Sequence, residues 1–311
     1  MTRARAAALA RRAGGPLAVV IVVVALRFVL RDLDLAALET ALLRQPTGRL
    51  LACLALTAAS YGCLALYDLV GVRAAAPGRV CTRLALLAGA SSAAIANTLG
   101  LPAVSGSAVR AHLYLRAGLN GAQVAGVVSM AWLSLVAGNL TMLAGAELLR
   151  AGAGAGPGRA GHAMLGCALV AVLLMWLGWL ARGPREITLG RWRLPMPSAA
   201  LAGRLMLLGA LESSTAVGAL YVLLPADLMP PFEVFAVGCV AAVLLGVASS
   251  APGGLGVFEA SMTAFLGGRG RADLLAALLL YRLLYYVLPF VLAVSALGVR
   301  SLRQRVLRPA I

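Results

Sequence analysis

The chain has 311 residues, of which 61% are hydrophobic and only 12% are charged, and its mean hydropathy is +0.93. Soluble domains are about 45–50% hydrophobic and about 25% charged, so this composition excludes an ordinary soluble domain and predicts an integral membrane protein. The net charge of +16 would suggest a nucleic-acid partner in a soluble protein, but the arginines lie mostly between apolar segments or at the chain ends. There they orient membrane helices and contact anionic lipid headgroups, so we expect no nucleic-acid partner.

The apolar segments predict an all-α polytopic membrane protein. A helix needs about 20 mainly apolar residues to span the hydrocarbon core. Two shorter pieces, 101–118 and 252–268, are interrupted by glycine and proline and are predicted to be broken or re-entrant. The first apolar stretch lacks a convincing small-residue cleavage site, so we interpret it as an uncleaved helix. About eight long transmembrane helices are predicted, over residues 14–33, 50–72, 84–100, 122–146, 161–181, 203–224, 232–251 and 272–298.

Arginine-rich segments predict how the chain is threaded. Four arginines precede the first apolar stretch, three lie in 73–83, five in 182–204 and four in the C-terminal tail. If all of them are cytoplasmic, each short piece must add a net crossing and both termini are cytoplasmic. Residues 50–146 and 203–298 then form inverted half-repeats within one transmembrane domain, 1–311. The alternative makes both short pieces re-entrant hairpins and leaves the five-arginine segment outside.

A weak internal sequence similarity supports the two half-repeats. Pro102 and Gly106 are four residues apart after one long apolar stretch, and Pro252 and Gly256 are four residues apart after another. In transporters built from inverted repeats, paired broken segments of this kind lie at a substrate site near the middle of the membrane.

The second broken segment, residues 249–262 (SSAPGGLGVFEASM), predicts an internal cavity or a tight protein contact. Non-helical backbone at membrane depth persists only where protein buries it or water lines it. Pro252 donates no backbone hydrogen bond, and Gly253, Gly254 and Gly256 allow a turn or a close approach. A helix resuming near Gly256 would direct free N–H groups at an anion such as a lipid phosphate. The alternative is that the glycines only permit close helix packing.

Six ionisable residues fall at expected membrane depth, where each costs about 2.5–3.5 kcal/mol on insertion scales. We expect most of them to face one another, water or a ligand and to line a polar groove of little net charge. Arg27 and Asp68 lie near the ends of their helices, and the alternative for these two is that they extend to the membrane interface. The six residues are Arg27, Asp68, Arg110, Glu212, Glu259 and Arg282.

The stretch around Arg282 (LLLYRLLYYVLP) predicts a distorted helix. Pro289 has no N–H, so the carbonyl of Tyr285 loses its helical donor, which produces a kink and a free acceptor. Tyr285 and Tyr286 share the helix face of Arg282. Together with Tyr281, they either line the groove or form an aromatic belt at the membrane interface.

The sequence gives little support for a catalytic site or a metal site. The five cysteines lack metal-type spacing and the two histidines are far apart, so we expect no metal site, disulfide framework or cofactor. Ser105, Ser107 and His112 raise the alternative of an enzyme that acts on lipid headgroups. His112 has no evident orienting carboxylate nearby in sequence, so we expect the chain not to be an enzyme.

Four stretches carry a family resemblance: NTLGLPAVSGSAVRAHLYLRAGL, which includes Asn97, GALYVLLP, SSAPGGLGVFEASM and LLYRLLYYVLPFVLA. Over residues 50–298 the chain resembles the membrane region of bacterial lysylphosphatidylglycerol synthases, the multiple peptide resistance factor family. The resemblance implies a flippase that moves aminoacylated phosphatidylglycerol between the leaflets of the inner membrane. In that family a cytosolic domain makes the lipid, and we expect this chain not to contain that domain.

The resemblance also implies which residues take part. Asp68, Arg110, Glu212 and Glu259 match positions that the family needs for translocation, so we expect them to bind a membrane phospholipid. The missing domain implies a separately encoded lipid synthase as a partner, and the oligomeric state is left open between monomer and homo-oligomer. The alternative function is a membrane scaffold that delivers substrate to such a synthase.

Overall fold

The computed structural model describes residues 45–99, 102–153, 158–183, 186–189, 192–249 and 254–306. A short 3-10 turn spans Ala226–Leu228, and a π-helical turn, Arg282–Val287, joins the last two helices. The helices are α1 (Thr47–Ala75), α2 (Thr82–Leu99), α3 (Pro102–Arg116), α4 (Gly121–Ala153), α5 (Arg159–Ala181), α6 (Ala199–Tyr221), α7 (Phe232–Ala248), α8 (Val257–Phe265), α9 (Ala272–Tyr281) and α10 (Leu288–Val306).

Within the described ranges, four helices are long and apolar enough to cross a membrane. They are α1, α4, α5 and the final long helix, Ala272–Arg303, which runs through α9, the π turn and most of α10. The coarser prediction, a helical membrane protein, is therefore confirmed. The count of about eight long helices stays a prediction, because the stretch 14–33 with Arg27 lies outside the described residues. In addition, α2 and α7 have only 18 and 17 residues.

A short strand pair interrupts the otherwise helical chain between α5 and α6. Strands β1 (Glu186–Leu189) and β2 (Trp192–Pro195) pair antiparallel, with Glu186 opposite Pro195. Two residues, Gly190 and Arg191, separate the strands in the sequence, which is the commonest length of a hairpin connection. Pairing the two strands satisfies backbone groups in a connection that would otherwise have no internal hydrogen bonds.

Helices α1 and α6 run antiparallel. At the start of α1, Gln45 Nε2 donates to the Leu223 carbonyl across 3.1 Å, and Arg49 Nη1 donates to the Leu224 carbonyl across 2.9 Å. Both carbonyls follow the end of α6. These two helices occupy equivalent places in the expected half-repeats, so their opposite directions agree with an inverted arrangement.

The first short piece is a helix, α3, that doubles back along α2. One apolar cluster contains Val72 at the end of α1, Leu84 at the start of α2, Leu113 at the end of α3 and Val124 at the start of α4. The start of α2 and the end of α3 therefore lie at the same end of the bundle. The inner end of α2 reaches α1 and the final long helix near their middles, since Thr98 Oγ1 donates to the Tyr286 carbonyl at 3.5 Å.

The second short piece contains α8, which doubles back along α7. The ring of Phe232, the first residue of α7, meets that of Tyr221 at the end of α6 at 5.3 Å. After α8, Arg271 binds Asp227, which also follows α6. The two helix pairs thus start from opposite ends of the bundle, and each short helix supplies the return leg of its pair.

Described parts of three arginine-rich segments lie at the end of the bundle from which α2 starts. The end of α1 and the start of α2 contact Leu297 of α10 there, which places the described end of α10 beside the segment 73–83. A cavity of about 400 Å³ is lined by Ala74 of α1, Gln123 of α4 and Ser198 just before α6, which adds the segment 182–204. This shared position favours the threading that keeps the five-arginine segment on the same side as the others, and the threading itself stays a prediction.

Candidate functional site

Asp68 and Arg110 form a buried ion pair between α1 and α3. Arg110 Nε lies 2.8 Å from Asp68 Oδ1 and 3.1 Å from Oδ2, and Nη2 lies 2.8 Å from Oδ1. The Tyr114 hydroxyl, one turn further along α3, donates to Asp68 Oδ2 at 2.7 Å. Asp68 is completely buried and does not extend to an interface. The pair therefore joins the first helix pair to α1.

Small residues let α2 and α3 approach this ion pair. A Cβ on Gly106 would lie 3.2 Å from the Ala96 side chain and 3.4 Å from Arg110 Nη1. A Cβ on Gly89 would lie 2.7 Å from the Leu64 carbonyl oxygen of α1. Glycine in α2 and in the first broken segment thus serves close helix packing.

Glu212 lies in the interior of α6 and is surrounded by hydroxyl groups. Ser60 Oγ donates to Glu212 Oε1 at 3.2 Å, Ser213 Oγ to Oε2 at 3.3 Å, and the Tyr285 hydroxyl to Oε1 at 3.4 Å. Ser60 Oγ and the Tyr285 hydroxyl are themselves 2.8 Å apart. In the described part of the chain, Glu212 has no ion-pair partner.

The distortion predicted from Pro289 is present as the π turn. The Leu288 N–H bonds the Leu283 carbonyl, five residues back. The Tyr285 carbonyl, which Pro289 cannot bond, accepts a hydrogen bond of 3.1 Å from the Tyr61 hydroxyl of α1. Asn97, at the inner end of α2, donates to the same Tyr61 hydroxyl at 3.5 Å. Asn97 therefore lies at the junction of three helices.

Glu259 and Arg282 form the second described ion pair at the core of the bundle, with Arg282 Nε donating to Glu259 Oε1. Glu259 also caps its own helix, since its Oε2 accepts from the Gly256 N–H at 2.9 Å. Gly254 and Gly256 have φ of +65° and +79°, which glycine adopts without strain. Gly254 also packs on Gly246 of α7, so the segment is both a turn and a tight contact.

The predicted lipid-binding residues Pro252 and Gly253 lie outside the described residues. The N–H of Gly256 at the start of α8 bonds Glu259 rather than facing an open site. The expected anion site at this helix start is therefore occupied, in part, by the protein's own carboxylate.

A cavity of about 320 Å³ adjoins the Glu259 side chain. It follows one face of α8 towards the loop after that helix, where Arg269 lines it. The side chain of Glu259 remains 17% exposed. Apolar residues form much of its wall, and the full lining is Glu259, Ala260, Thr263, Ala264, Arg269 and Leu275.

The tyrosines of the final long helix do not form an interfacial belt. Tyr281 and Tyr285 are each 4% exposed, and their rings stack with centroids 5.0 Å apart. Tyr281 also donates to the Ala216 carbonyl of α6 at 3.3 Å. The rings therefore fill the interior between α1, α6 and the final long helix, next to Glu212.

The predicted polar residues form three separate centres rather than one groove. The centres are the Asp68–Arg110 pair, the site around Glu212 and the Glu259–Arg282 pair. Ser60 and Asp68 are two turns apart on α1, about 12 Å along the helix axis. Arg282 and Tyr285 are in the same π turn, so the Glu212 and Glu259 centres share one structural element. Neither described cavity is lined by Asp68, Arg110 or Glu212.

Sequence reasoning missed Glu147, near the end of α4. It is buried, and its carboxylate lies 3.0 Å from Arg150 Nη1 and 2.6 Å from His162 Nδ1 of α5. The three-residue spacing from Glu147 to Arg150 was a usable signal for the first contact. His112, raised as a candidate nucleophile's partner, is exposed on α3.

Comparisons with known proteins identify two relatives. No known family model matches the sequence. The chain is 31% identical over 219 residues to the "Uncharacterized protein slr0712" of Synechocystis sp., which covers 68% of this chain and 67% of that protein. It is also 31% identical over 202 residues to the "Inner membrane protein YbhN" of Escherichia coli, which covers 61% of each chain.

Proposed function

The chain belongs to the family of the Synechocystis protein slr0712, and we propose that it is a phospholipid flippase of the bacterial inner membrane. The geometry of the candidate site supports this proposal. The proposed location is supported by the name of the Escherichia coli relative and by the four apolar helices. It is also supported by exposed apolar side chains such as those of Leu165, Leu174 and Met175, which cover α5 as a lipid-facing helix would.

The arginine-rich end of the bundle is proposed to be cytoplasmic. The α2–α3 pair then enters from the cytoplasm and the α7–α8 pair enters from the opposite side. In this arrangement α1, α4, α5, α6 and the final long helix cross the bilayer, and α2 and α7 turn back near its middle. The antiparallel α1 and α6 support the two inverted half-repeats, 50–146 and 203–298.

The observation that carries the proposal is that Glu259, the carboxylate partner of Arg282, lines a cavity with an apolar wall. A phospholipid headgroup loses water when it enters hydrocarbon, and charge-assisted hydrogen bonds can replace that water. Arg269, which lines the cavity after α8, suits the phosphate, and Glu259 suits a positively charged aminoacyl group. The acyl chains stay in the lipid beside Ala260, Ala264 and Leu275.

A lipid moving along the cavity would exchange contacts rather than create a new charge. Its phosphate would pass from Arg269 towards Arg282 while its ammonium group approached Glu259, so the total charge of the site stays nearly constant. The Asp68–Arg110 pair, which adjoins no described cavity, is proposed to act by holding the first helix pair on α1.

The test uses purified protein in vesicles that contain fluorescent phosphatidylglycerol or its lysyl ester. A membrane-impermeant quencher reports how fast the labelled lipid changes leaflet. We expect wild type to accelerate exchange over empty vesicles and Glu259→Gln to slow it by about tenfold, the effect of weakening one charged contact by about 1.4 kcal/mol. Glu233→Gln, at the start of α7, is the matched control and should retain the wild-type rate.

Each outcome has a clear reading. Equal rates for wild type and Glu259→Gln would remove the cavity from the mechanism. Wild-type vesicles that exchange no tested lipid faster than empty ones would overturn the flippase. In that case, recovery of a lipid synthase bound to the protein would favour the scaffold function.

A further inference from the structure

We infer that Glu212 is a proton-binding site and that its proton is exchanged as lipid moves, so that the chain is a proton-coupled transporter. The second part of the inference, that the proton is exchanged as lipid moves, rests on the proposed function. The first part, a protonated carboxyl group in the bundle interior, stands on the geometry of α1, α6 and the π turn alone.

The hydrogen bonds of Glu212 are longer than those of an ionised carboxylate, and in the neutral acid one carboxyl oxygen carries the proton and donates it to one of the neighbouring hydroxyl groups. Its three hydroxyl contacts, from Ser60, Ser213 and Tyr285, measure 3.2 to 3.4 Å. Hydroxyl donors approach an ionised carboxylate to about 2.5–2.7 Å. Asp68 shows that shorter distance, because the Tyr114 hydroxyl lies 2.7 Å from it. Asp68 has a guanidinium partner and Glu212 has none in the described chain.

Burial makes the neutral form necessary. Glu212 is 6% exposed, and an unpaired carboxylate moved from water to an apolar interior costs far more than a carboxylic acid does. Hydroxyl groups alone do not balance a full negative charge. Binding a proton from water neutralises the carboxylate, and this requires no cationic side chain nearby.

The groups that face Glu212 add no positive charge. From α1 and the π turn, the titratable side chains with an electrostatic interaction with Glu212 are Tyr61, Cys63, Tyr67 and Tyr285. On the remaining packed elements, Glu147 of α4 binds His162 of α5 and Arg150, and Cys239 of α7 lies beside Tyr281. Among the described residues, the titratable side chains that interact with Glu212 are therefore hydroxyl and thiol groups, which are neutral at ordinary pH.

Tyr67 points to the route by which the proton leaves. Its hydroxyl is buried, interacts electrostatically with Glu212 and has no hydrogen-bond partner within the described residues. A buried hydroxyl of this kind is normally satisfied by an ordered water. Water at Tyr67 would accept the proton from Glu212 on the α1 side.

The π turn supplies the connection to the lipid site. Tyr285 contacts Glu212, and Arg282, three residues earlier in the same turn, binds Glu259. When Glu212 releases its proton to water, the new carboxylate attracts the Tyr285 hydroxyl more strongly. The stronger attraction of Tyr285 acts on the π turn, which also contains Arg282. Proton release is therefore linked to the headgroup site.

The first experiment measures the proton directly. Infrared difference spectra of the reconstituted protein, compared with Glu212→Gln, should contain a carbonyl band of a protonated carboxyl group at neutral pH. The band should shift in Tyr285→Phe, which removes one hydrogen bond. A carboxylate band alone at neutral pH would overturn the proton site, whatever the transport results are.

The second experiment measures coupling. Vesicles with a pH gradient and zero membrane potential are loaded with labelled phosphatidylglycerol, and the final leaflet ratio is measured. One proton per lipid should change that ratio by up to about tenfold per pH unit in wild type. Glu233→Gln should respond as wild type does, and Glu212→Gln should not respond.

The outcomes separate the two proposals. Fast exchange with a ratio independent of pH would overturn coupling and leave the flippase standing. No exchange in any gradient would overturn the flippase, and with it the coupling, while the infrared band would still decide the proton site. If Glu212→Gln does not fold, the band shift in Tyr285→Phe and the wild-type leaflet ratio provide the same decisions.

Discussion

The Tyr61 hydroxyl of α1 donates a hydrogen bond of 3.1 Å to the backbone carbonyl of Tyr285 in the π turn. The carbonyl is available because Pro289, four residues later, has no N–H to bond it. One side chain thus replaces a missing backbone donor from another helix. This contact fixes the π turn, which carries both Arg282 and Tyr285, against α1.

Replacing Tyr61 by phenylalanine should therefore destabilise the protein. The change keeps the ring but leaves the buried Tyr285 carbonyl without a donor, which costs about 1–3 kcal/mol. The measurement is reversible unfolding of the purified protein in detergent, followed by circular dichroism. Adding Pro289→Ala restores an N–H four residues after Tyr285 and should recover part of the loss.

Tyr221→Phe is the control for this experiment. Its hydroxyl also donates to a backbone carbonyl, that of Pro230, at 2.8 Å, but the bond lies in the connection after α6 and is only partly buried. Water can replace it there, so we expect a smaller loss. Equal losses in the two variants, with no recovery by Pro289→Ala, would contradict the role given to Tyr61.

The same contact shows what the sequence could and could not predict. The free carbonyl was predictable because Pro289 acts on a residue only four positions away. Its donor was not, since Tyr61 is 224 residues distant and reaches it only through helix packing. Likewise, the cost of burying charge predicted that Asp68, Arg110, Glu259 and Arg282 would have partners, but not which acid would bind which arginine.

The short helices show a related limit. Proline and glycine predicted breaks near residues 101 and 252, and helices α3 and α8 do follow those breaks. Whether each piece crosses or turns back depends on contacts at its far end, such as Arg271 with Asp227. The strand pair at 186–195 was missed because a search for long apolar stretches gives no signal for a short polar hairpin.

The Asp68–Arg110 pair should behave as a structural unit. Arg110→Leu leaves Asp68 buried without a cation, and breaking a buried pair in this way costs about 3–5 kcal/mol. The double variant Asp68→Leu with Arg110→Leu removes both charges and should be more stable than Arg110→Leu alone. Unfolding of the single and double variants in detergent measures this coupling.

Lipid exchange by the double variant then separates two roles. If the pair only holds the first helix pair on α1, a folded double variant exchanges lipid at a rate close to wild type. A folded double variant that has lost exchange would instead place Asp68 and Arg110 at the lipid site, as the family resemblance implies.

The loops after α6 and α8 should separate at acid pH. Hydrogen bonds from Arg271 hold the pKa of Asp227 below its usual range. Because this folded pKa is lower than the unfolded value of about 3.9, the stabilisation is complete above that value and is lost as the pH falls through the lowered pKa. The groups are exposed, so the effect is small and weakens with salt.

Hydrogen exchange measures this loop contact. Amides in the connections 225–231 and 266–271 should exchange faster at acid pH than their intrinsic rates predict, and the excess should be reduced by salt. Arg271→Gln should show the faster exchange already at neutral pH, whereas Arg269→Gln, two residues away, should not. An Arg271→Gln protein with wild-type protection would rule out the contact as the cause.

The crossing of α4 and α6 should be the position least tolerant of an added methyl group. A Cβ on Gly209 would overlap the Ser134 carbonyl oxygen, and a Cβ on Gly138 would overlap the Gly209 backbone. Neither contact involves a flexible side chain, so the helices must move apart, and overpacking of this kind costs about 1–3 kcal/mol. Gly209→Ala should therefore lower the unfolding temperature measured in detergent.

Gly203→Ala is the matched control on the same helix. A Cβ there would have no atom within 4 Å, so the variant gains helix propensity of about 1 kcal/mol without a clash. The two substitutions are chemically identical and lie on one helix, but the predicted changes in stability have opposite signs. Destabilisation by both would trace the effect to glycine flexibility in α6, and destabilisation by Gly209→Ala alone would trace it to the contact with α4.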